Sequence, residues 1–261
     1  MPPPNPIMNQ ALQIRSALVS EQLPAPAQVW LQTLIAQQPP QQRTLPALVA
    51  AAKARLLASD LTTPGLLDAS LPPPVFSREL LSASAVSIQE MRLAYDVVAQ
   101  VVDLENLSQS RWQQVQALEA IERGEQKRGR EIIRVPAAGD AENGEGADET
   151  DTGTMDGRPA APAASTSTSD ANATHRLVLQ DAAGQTLFAL ELTRIYRIGI
   201  GRLRMGEKVL IKKGTPVARG TLLLEPVSVK FLGGQVESLH KTWVEGRLAR
   251  LRAEAKAAGP S

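Results

Sequence analysis

Residues 176–192, RLVLQDAAGQTLFALEL, carry two apolar runs of alternating pattern on either side of a short break in which Gly184 can supply a turn. A β-hairpin is the reading this stretch imposes, and the rest of the chain is placed around it. Downstream, Lys208-Val-Leu-Ile-Lys212 and Arg219-Gly-Thr-Leu-Leu-Leu224 form two more strands around the turn sequence Lys213-Gly214-Thr215-Pro216. Upstream, Val98-Ala-Gln-Val-Val102 is the first of five strands, preceded by extended residues 91–96.

Beyond the last strand, residues 235–257 place Val236, Leu239, Trp243, Val244, Leu248 and Leu251 on one side of a helix. Five short strands in meander order with a covering helix match a closed Greek-key barrel of the OB type, although other small barrels satisfy the same pattern. Tyr95, Phe188, Tyr196 and Phe231 lie in strand-rich sequence and are expected in the core, which leaves few aromatic faces for stacking on nucleic-acid bases.

The N-terminal third has a different periodicity. Ile7, Ala11, Ile14 and Leu18 recur at steps of three and four, as do Val29, Trp30, Leu34 and Ile35, then Leu48, Val49, Ala52 and Leu56. Proline pairs end the first two runs, and Thr44 with Pro46 suits the start of a third helix. Residues 1–61 therefore read as a three-helix bundle. Residues 62–78, with the run Pro72-Pro73-Pro74, read as an extended connector lying along the next domain. The fold class is α+β: bundle, OB-type barrel over 79–257 with a C-terminal helix, and a short tail over 258–261.

A long insertion, residues 106–175, separates the first two barrel strands, where ~4–6 residues would suffice. Its proximal part, 108–135, opens with Arg111, Trp112, Val115 and Leu118 at helical spacing and continues into Arg123, Lys127, Arg128 and Arg130. Trp112 and Leu118 either anchor a protein contact or tuck onto their own barrel, and the basic cluster is either a recognition surface or a solvated face. The distal part, 136–174, holds eight acids and one base and almost no large apolar side chain, so it is expected to stay disordered. Of 28 basic and 27 acidic residues, the rest of the chain keeps 27 and 19, an excess of eight positive charges.

Chemistry is sparse. Cysteine is absent, which excludes disulfides and thiolate metal sites and suits a reducing compartment. His175 and His240 lack metal or triad spacing and are expected at the surface. Gly199, Gly201, Gly233 and Gly234 do not form a phosphate-binding loop and read as turns. No acid/base pair stands out among the carboxylates, and no apolar run reaches the ~20 residues a bilayer crossing needs. A soluble, non-enzymatic protein without a cofactor is expected, a monomer on its own that makes no membrane contact.

The string Gly220-Thr-Leu-Leu-Leu-Glu-Pro-Val-Ser-Val-Lys-Phe-Leu-Gly-Gly-Gln-Val-Glu-Ser-Leu239 resembles the end of the OB-fold in the RecQ-mediated genome instability protein 1 family, accessory subunits of topoisomerase III. Val29-Trp30-Leu31, residues 56–61 (LLASDL) and Val101-Val102-Asp103 extend the resemblance at lower similarity. Tudor-domain protein 3 has a similar N-terminal build, but no Tudor-like segment follows here. The resemblance implies a nuclear, non-catalytic subunit that joins a type IA topoisomerase and a RecQ-family helicase. The insertion would contact the topoisomerase near its DNA gate and favour dissolution of double Holliday junctions. Its contact residues would be Arg111, Trp112, Val115, Leu118, Arg123, Lys127, Arg128 and Arg130. The chain lacks the second C-terminal OB-fold of animal members, which suggests a short fungal-type form. The alternative function is a stand-alone OB-fold protein that binds single-stranded or junction DNA, against the expectation of weak binding outside a complex.

Overall fold

The computed structural model describes residues 6–39, 43–124 and 173–257. Helices α1 (Pro6–Ser20), α2 (Gln28–Gln37) and α3 (Leu45–Ala58) form the N-terminal bundle. Ala11, Ile14 and Leu18 of α1 meet Leu31, Leu34 and Ile35 of α2 and Leu48, Ala52 and Leu56 of α3 in one core. The inward face of α2 is rotated from the expected one: Leu31 is buried, Trp30 is partly covered and Val29 is exposed. Thr44 occupies the N-cap of α3 but its hydroxyl makes no capping bond, so Pro46 in the first turn is the stronger start signal.

The connector departs from a plain extended strand. Residues 61–67 form turns, with Leu66 packed in the bundle core and bonded through its carbonyl to the Ala27 amide. The chain then crosses to the sheet, where Phe76 is buried and its amide donates to Asp181 Oδ2 (2.9 Å). A short helix α4 (Arg78–Leu81) and a 3₁₀ turn (Ala83–Ser87) follow, adding Leu80 and Ala85 to the buried residues.

Where five barrel strands are expected, the described residues form a sheet of eight: β1 (Met91–Arg92), β2 (Val97–Asn106), β3 (His175–Gln180), β4 (Thr186–Glu191), β5 (Lys208–Ile211), β6 (Pro216–Ala218), β7 (Thr221–Leu224) and β8 (Val229–Gly233). They build one curled sheet in the order β1-β6-β7-β4-β3-β2-β5-β8, so it is not a simple meander. Among the strand pairings of the described residues, only β4–β7 is parallel. The hairpin β3–β4 turns at Gly184 (φ +81°), as its sequence requires. Strand β2 is the organiser, because it pairs with both β3 and β5 and its register shifts between Val101 and Asp103. Helix α6 (Glu237–Ala257) inserts Trp243 into the sheet's core, and Trp243 Nε1 donates to Asp103 Oδ1 (2.6 Å) just past that irregularity.

Bundle and sheet are joined by buried polar contacts. The Lys208 ammonium, on a residue only 1% exposed, donates to the carbonyls of Leu57 (2.9 Å), Ser59 (2.6 Å) and Gly206 (2.7 Å). It thereby caps the C-terminus of α3 from strand β5. Burial pushes its pKa down to about 8, with the Asp60 carboxylate opposing the fall, so it is charged at neutral pH. Gln100 of β2 completes the joint, accepting from the Leu61 amide and donating to Asp60 and Gln180.

Gly234 closes the same joint at φ +87°, where an added Cβ would run into the Leu57 carbonyl. A Gly234→Ala chain is expected to lose about 2 kcal/mol of stability, part from left-handed strain and part from displacing α3. Urea unfolding of the two proteins checks this; equal midpoints would show that the joint yields freely.

Candidate functional site

The insertion leaves and returns at one point. Asn106 pairs with His175 at the end of the β2–β3 ladder, and the Leu107 amide then donates to Thr174 O (2.9 Å). The Thr174 amide donates to Ser108 Oγ (2.8 Å), and Ala173 is buried. The last two residues of the span expected to be disordered, Ala173 and Thr174, thus belong to the ordered root of the hairpin. The remainder of the acidic tract lies outside the described residues.

Helix α5 (Arg111–Glu122) starts where a capping box directs it: the Gln113 amide donates to Ser110 Oγ (3.2 Å), and the Ser110 amide donates to Gln113 Oε1 (2.9 Å). Gln114, buried, ties the helix back by donating to the carbonyls of Asn106 (3.0 Å) and Gln109 (3.1 Å). The helix lies against α6. Arg111 forks between Glu105 of β2 (2.7 Å) and Glu254 of α6 (2.7 Å), and Arg252 of α6 reaches Glu119 of α5 (2.8 Å). Glu105 also takes Arg176 Nε of β3 (2.7 Å), and Asp103 takes Arg250 of α6 at 3.5 Å. Sheet, α5 and α6 are cross-braced by these pairs, in which Glu105 alone serves two guanidinium groups, those of Arg111 and Arg176.

This geometry sorts the contact residues expected from sequence. Arg111 is engaged in the internal brace with its side chain 27% exposed, and Val115, at 1% exposure, faces the chain's own interior. Trp112 does not tuck onto the barrel: it is 53% exposed. Leu118 is half-buried. Arg123 sits at the C-cap beside Glu119 (4.0 Å), exposed. Lys127, Arg128 and Arg130 lie outside the described residues.

Both histidine expectations change. His175 is fully buried, its Nδ1 3.0 Å from Glu191 Oε2, while its Nε2 meets no hydrogen-bonding partner among the described residues. Glu191 also accepts from Arg194 Nη1 (2.6 Å) and from the amides of His175 and Ile195. Burial pushes the Glu191 carboxyl up, but the His175, Ile195 and Arg194 donors outweigh it and hold it below the usual carboxylate range. His240 is half-buried, stacked on Trp243 at 6.5 Å, with its Nδ1 facing the Met205 amide (3.4 Å).

The aromatic expectation is overturned more broadly. Tyr95 (40%), Phe188 (46%) and Tyr196 (69%) are exposed, and Phe231 is only partly buried. Arginines lie over three of these rings: Arg176 on Phe188, Arg202 on Tyr196 and Arg197 on Phe231. Among the described residues no cluster of three or more His, Cys, Asp or Glu is placed to hold a metal ion, and no helix is long and apolar enough to cross a membrane.

Two family models match the chain where these features lie. The model described as the RMI1 N-terminal helical domain matches residues 18–64, and that described as the RMI1 N-terminal OB-fold domain matches residues 76–247. RecQ-mediated genome instability protein 1 of Schizosaccharomyces pombe is 28% identical over 160 residues, covering 60% of this chain and 63% of that protein. A matched OB-fold model that spans the curled sheet, the root of the insertion and the first half of α6, preceded by the matched helical domain, places the chain in the RecQ-mediated genome instability protein 1 family.

Proposed function

We propose that the chain is a non-catalytic scaffold subunit that docks on a type IA topoisomerase, topoisomerase III, in a nuclear complex with a RecQ-family helicase. It biases the topoisomerase's DNA gate and promotes dissolution of double Holliday junctions. Family membership and the name of the yeast relative support a role in a RecQ pathway of genome maintenance. The observation that carries the docking role is Trp112, half-exposed on a helix that is ion-paired to α6 and β2 through Arg111 and Glu119. An indole on a rigid base loses little conformational freedom on binding, which is what an interface anchor requires. A gate is biased only by a subunit that binds one gate state better than the other, so the anchor must touch an element that moves.

The test is Trp112→Ala. Deletion of residues 108–135 would also remove Val115 and the Arg111 brace, so loss of function there would mix docking with damage to α6. The point substitution removes an exposed side chain and is expected to leave the melting temperature in place. Capture of purified topoisomerase III should weaken about 30-fold, the scale of an aromatic hot spot, and stimulation of dissolution should fall with it. Unchanged capture and stimulation would dismiss Trp112 as the anchor.

A further inference from the structure

We infer that Ser87 is a phosphorylation site for an acid-directed serine/threonine kinase and that Arg219 receives the phosphate, tying the β6–β7 hairpin to the 3₁₀ turn that precedes β1. Arg219 is a residue the rest of the fold does not account for. Ala218 pairs with Thr221, so β6 and β7 are joined by a two-residue loop, and both loop residues, Arg219 (φ +49°) and Gly220 (φ +74°), are left-handed. That is the tight hairpin turn whose first position favours Asn, Asp or Gly, because a longer side chain is strained there. Arginine nevertheless occupies it, exposed, and its guanidinium enters no hydrogen bond or ion pair among the described residues. No contact of that side chain within the fold offsets the strain of holding it.

The hairpin turn packs on the 3₁₀ segment. The Arg219 amide donates to Ile88 O (3.0 Å), and a Cβ on Gly220 would meet Ala85 at 3.6 Å. Ser87 is therefore one residue from the Arg219 backbone, within reach of its side chain. Residues 86–90 are all exposed, and the Ser87 hydroxyl, at the end of the turn, is engaged in no hydrogen bond among the described residues. Ile88 is extended (φ −80°, ψ +116°), the conformation in which kinases take a substrate backbone. Glu90, its side chain 63% exposed, stands three residues after the serine, where an acid-directed kinase offers basic side chains to a carboxylate. Among the described residues the same spacing recurs at Thr242 and Glu245, but inside helix α6, which presents no extended backbone. In the transfer, Ser87 Oγ attacks the γ-phosphorus of the kinase's ATP; the new O–P bond forms as the bond to ADP breaks, and the hydroxyl proton passes to the kinase's catalytic carboxylate. A dianion at the C-terminal end of a helical turn is unfavourable unless a cation answers it, and Arg219 is in place to do so. Arg92, the other guanidinium at this edge, is already shared between Glu90 (3.4 Å) and the Gly214 carbonyl (3.1 Å).

The test treats the full chain with casein kinase 2 and ATP, with casein as the positive control, and locates the phosphate by mass spectrometry. Ser87 should be phosphorylated, and Glu90→Gln should slow its labelling about tenfold, the effect of one lost charge-assisted contact. Phosphorylation should then raise the melting temperature of the wild type by about 3 °C, the scale of one favourable ion pair in a chain of this size. Ser87→Ala, treated in the same way, separates this shift from the effect of phosphate added elsewhere. Arg219→Gly should melt slightly higher than the wild type before treatment, because its left-handed strain is relieved, and should lose stability rather than gain it when Ser87 is phosphorylated. The inference is overturned if Ser87 stays unmodified while casein is labelled. It is equally overturned if phosphate on Ser87 shifts the wild type and Arg219→Gly alike, which would leave Arg219 no part in receiving it.

Discussion

Replacing Lys208 by methionine is expected to destabilise the protein by about 3 kcal/mol and to uncouple the helical bundle from the sheet. Methionine fills nearly the same volume, so the loss isolates the ammonium. Three carbonyl oxygens lose their donor, those of Leu57 and Ser59 at the end of α3 and that of Gly206 before β5. Each buried acceptor left without a partner costs ~1–3 kcal/mol, and the relief from no longer burying a cation returns part of the sum. Asp60 also loses a neighbour that helps hold its carboxyl low; burial raises that carboxyl, and the Thr62 and Gln100 hydrogen bonds with the Lys208 charge overcome it. Against a typical total of ~5–15 kcal/mol, this loss would be visible as a large drop in denaturant midpoint. Hydrogen exchange at the last turn of α3 should speed up before the sheet's does, which distinguishes uncoupling from general weakening. If α3 and the sheet exchange together as in the wild type, the joint resides elsewhere.

How much of this was legible in the sequence follows from the length of each signal. The bundle and the β3–β4 hairpin rest on periodic runs long enough to set both type and face, and those elements are where expected. Strands β6 and β8, three and five residues long, offer too few alternations to separate them from the turns that Pro216, Gly220 and Gly233 announce. Phe188 shows the cost of period two: Leu187, Ala189 and Glu191 point inward, and a phenylalanine between them must point out. Composition argued for a buried ring, while register decided otherwise. The same phase argument separates Val115 from Trp112. On α5 only one side is covered, and Val115 falls within it while Trp112 lies at its edge. Arg111 carries no such signal, because its carboxylate partners Glu105 and Glu254 are brought together only by the packing of α6 on the sheet.

The burial of His175 was likewise invisible, since nothing in the sequence announces that Glu191, sixteen residues on, will sit beside it with Arg194. That cluster carries the second large expectation: Glu191→Leu should cost about 3–5 kcal/mol, comparable with removing one partner of a buried ion pair. The carboxylate is the acceptor for His175 Nδ1 and also serves two backbone amides, so leucine leaves several buried donors without a partner. Glutamine keeps the shape but replaces an acceptor oxygen by an amide NH2 donor and removes the charge facing Arg194; it should cost less, about 2 kcal/mol. The titration of the same group gives a direction for acid unfolding. Glu191 is held below the ordinary glutamate value of 4.5, so near that pH the unfolded chain takes up a proton more readily than the native one. Its contribution is therefore complete above pH 4.5 and is lost as pH falls through the lower native value. Comparing urea midpoints of wild type and Glu191→Gln from pH 7 down to pH 3 should show a gap that is constant at first and then narrows below about pH 4.5. A gap independent of pH throughout that range would mean that the ionised carboxylate is not what holds His175 and Arg194 at the root of the insertion.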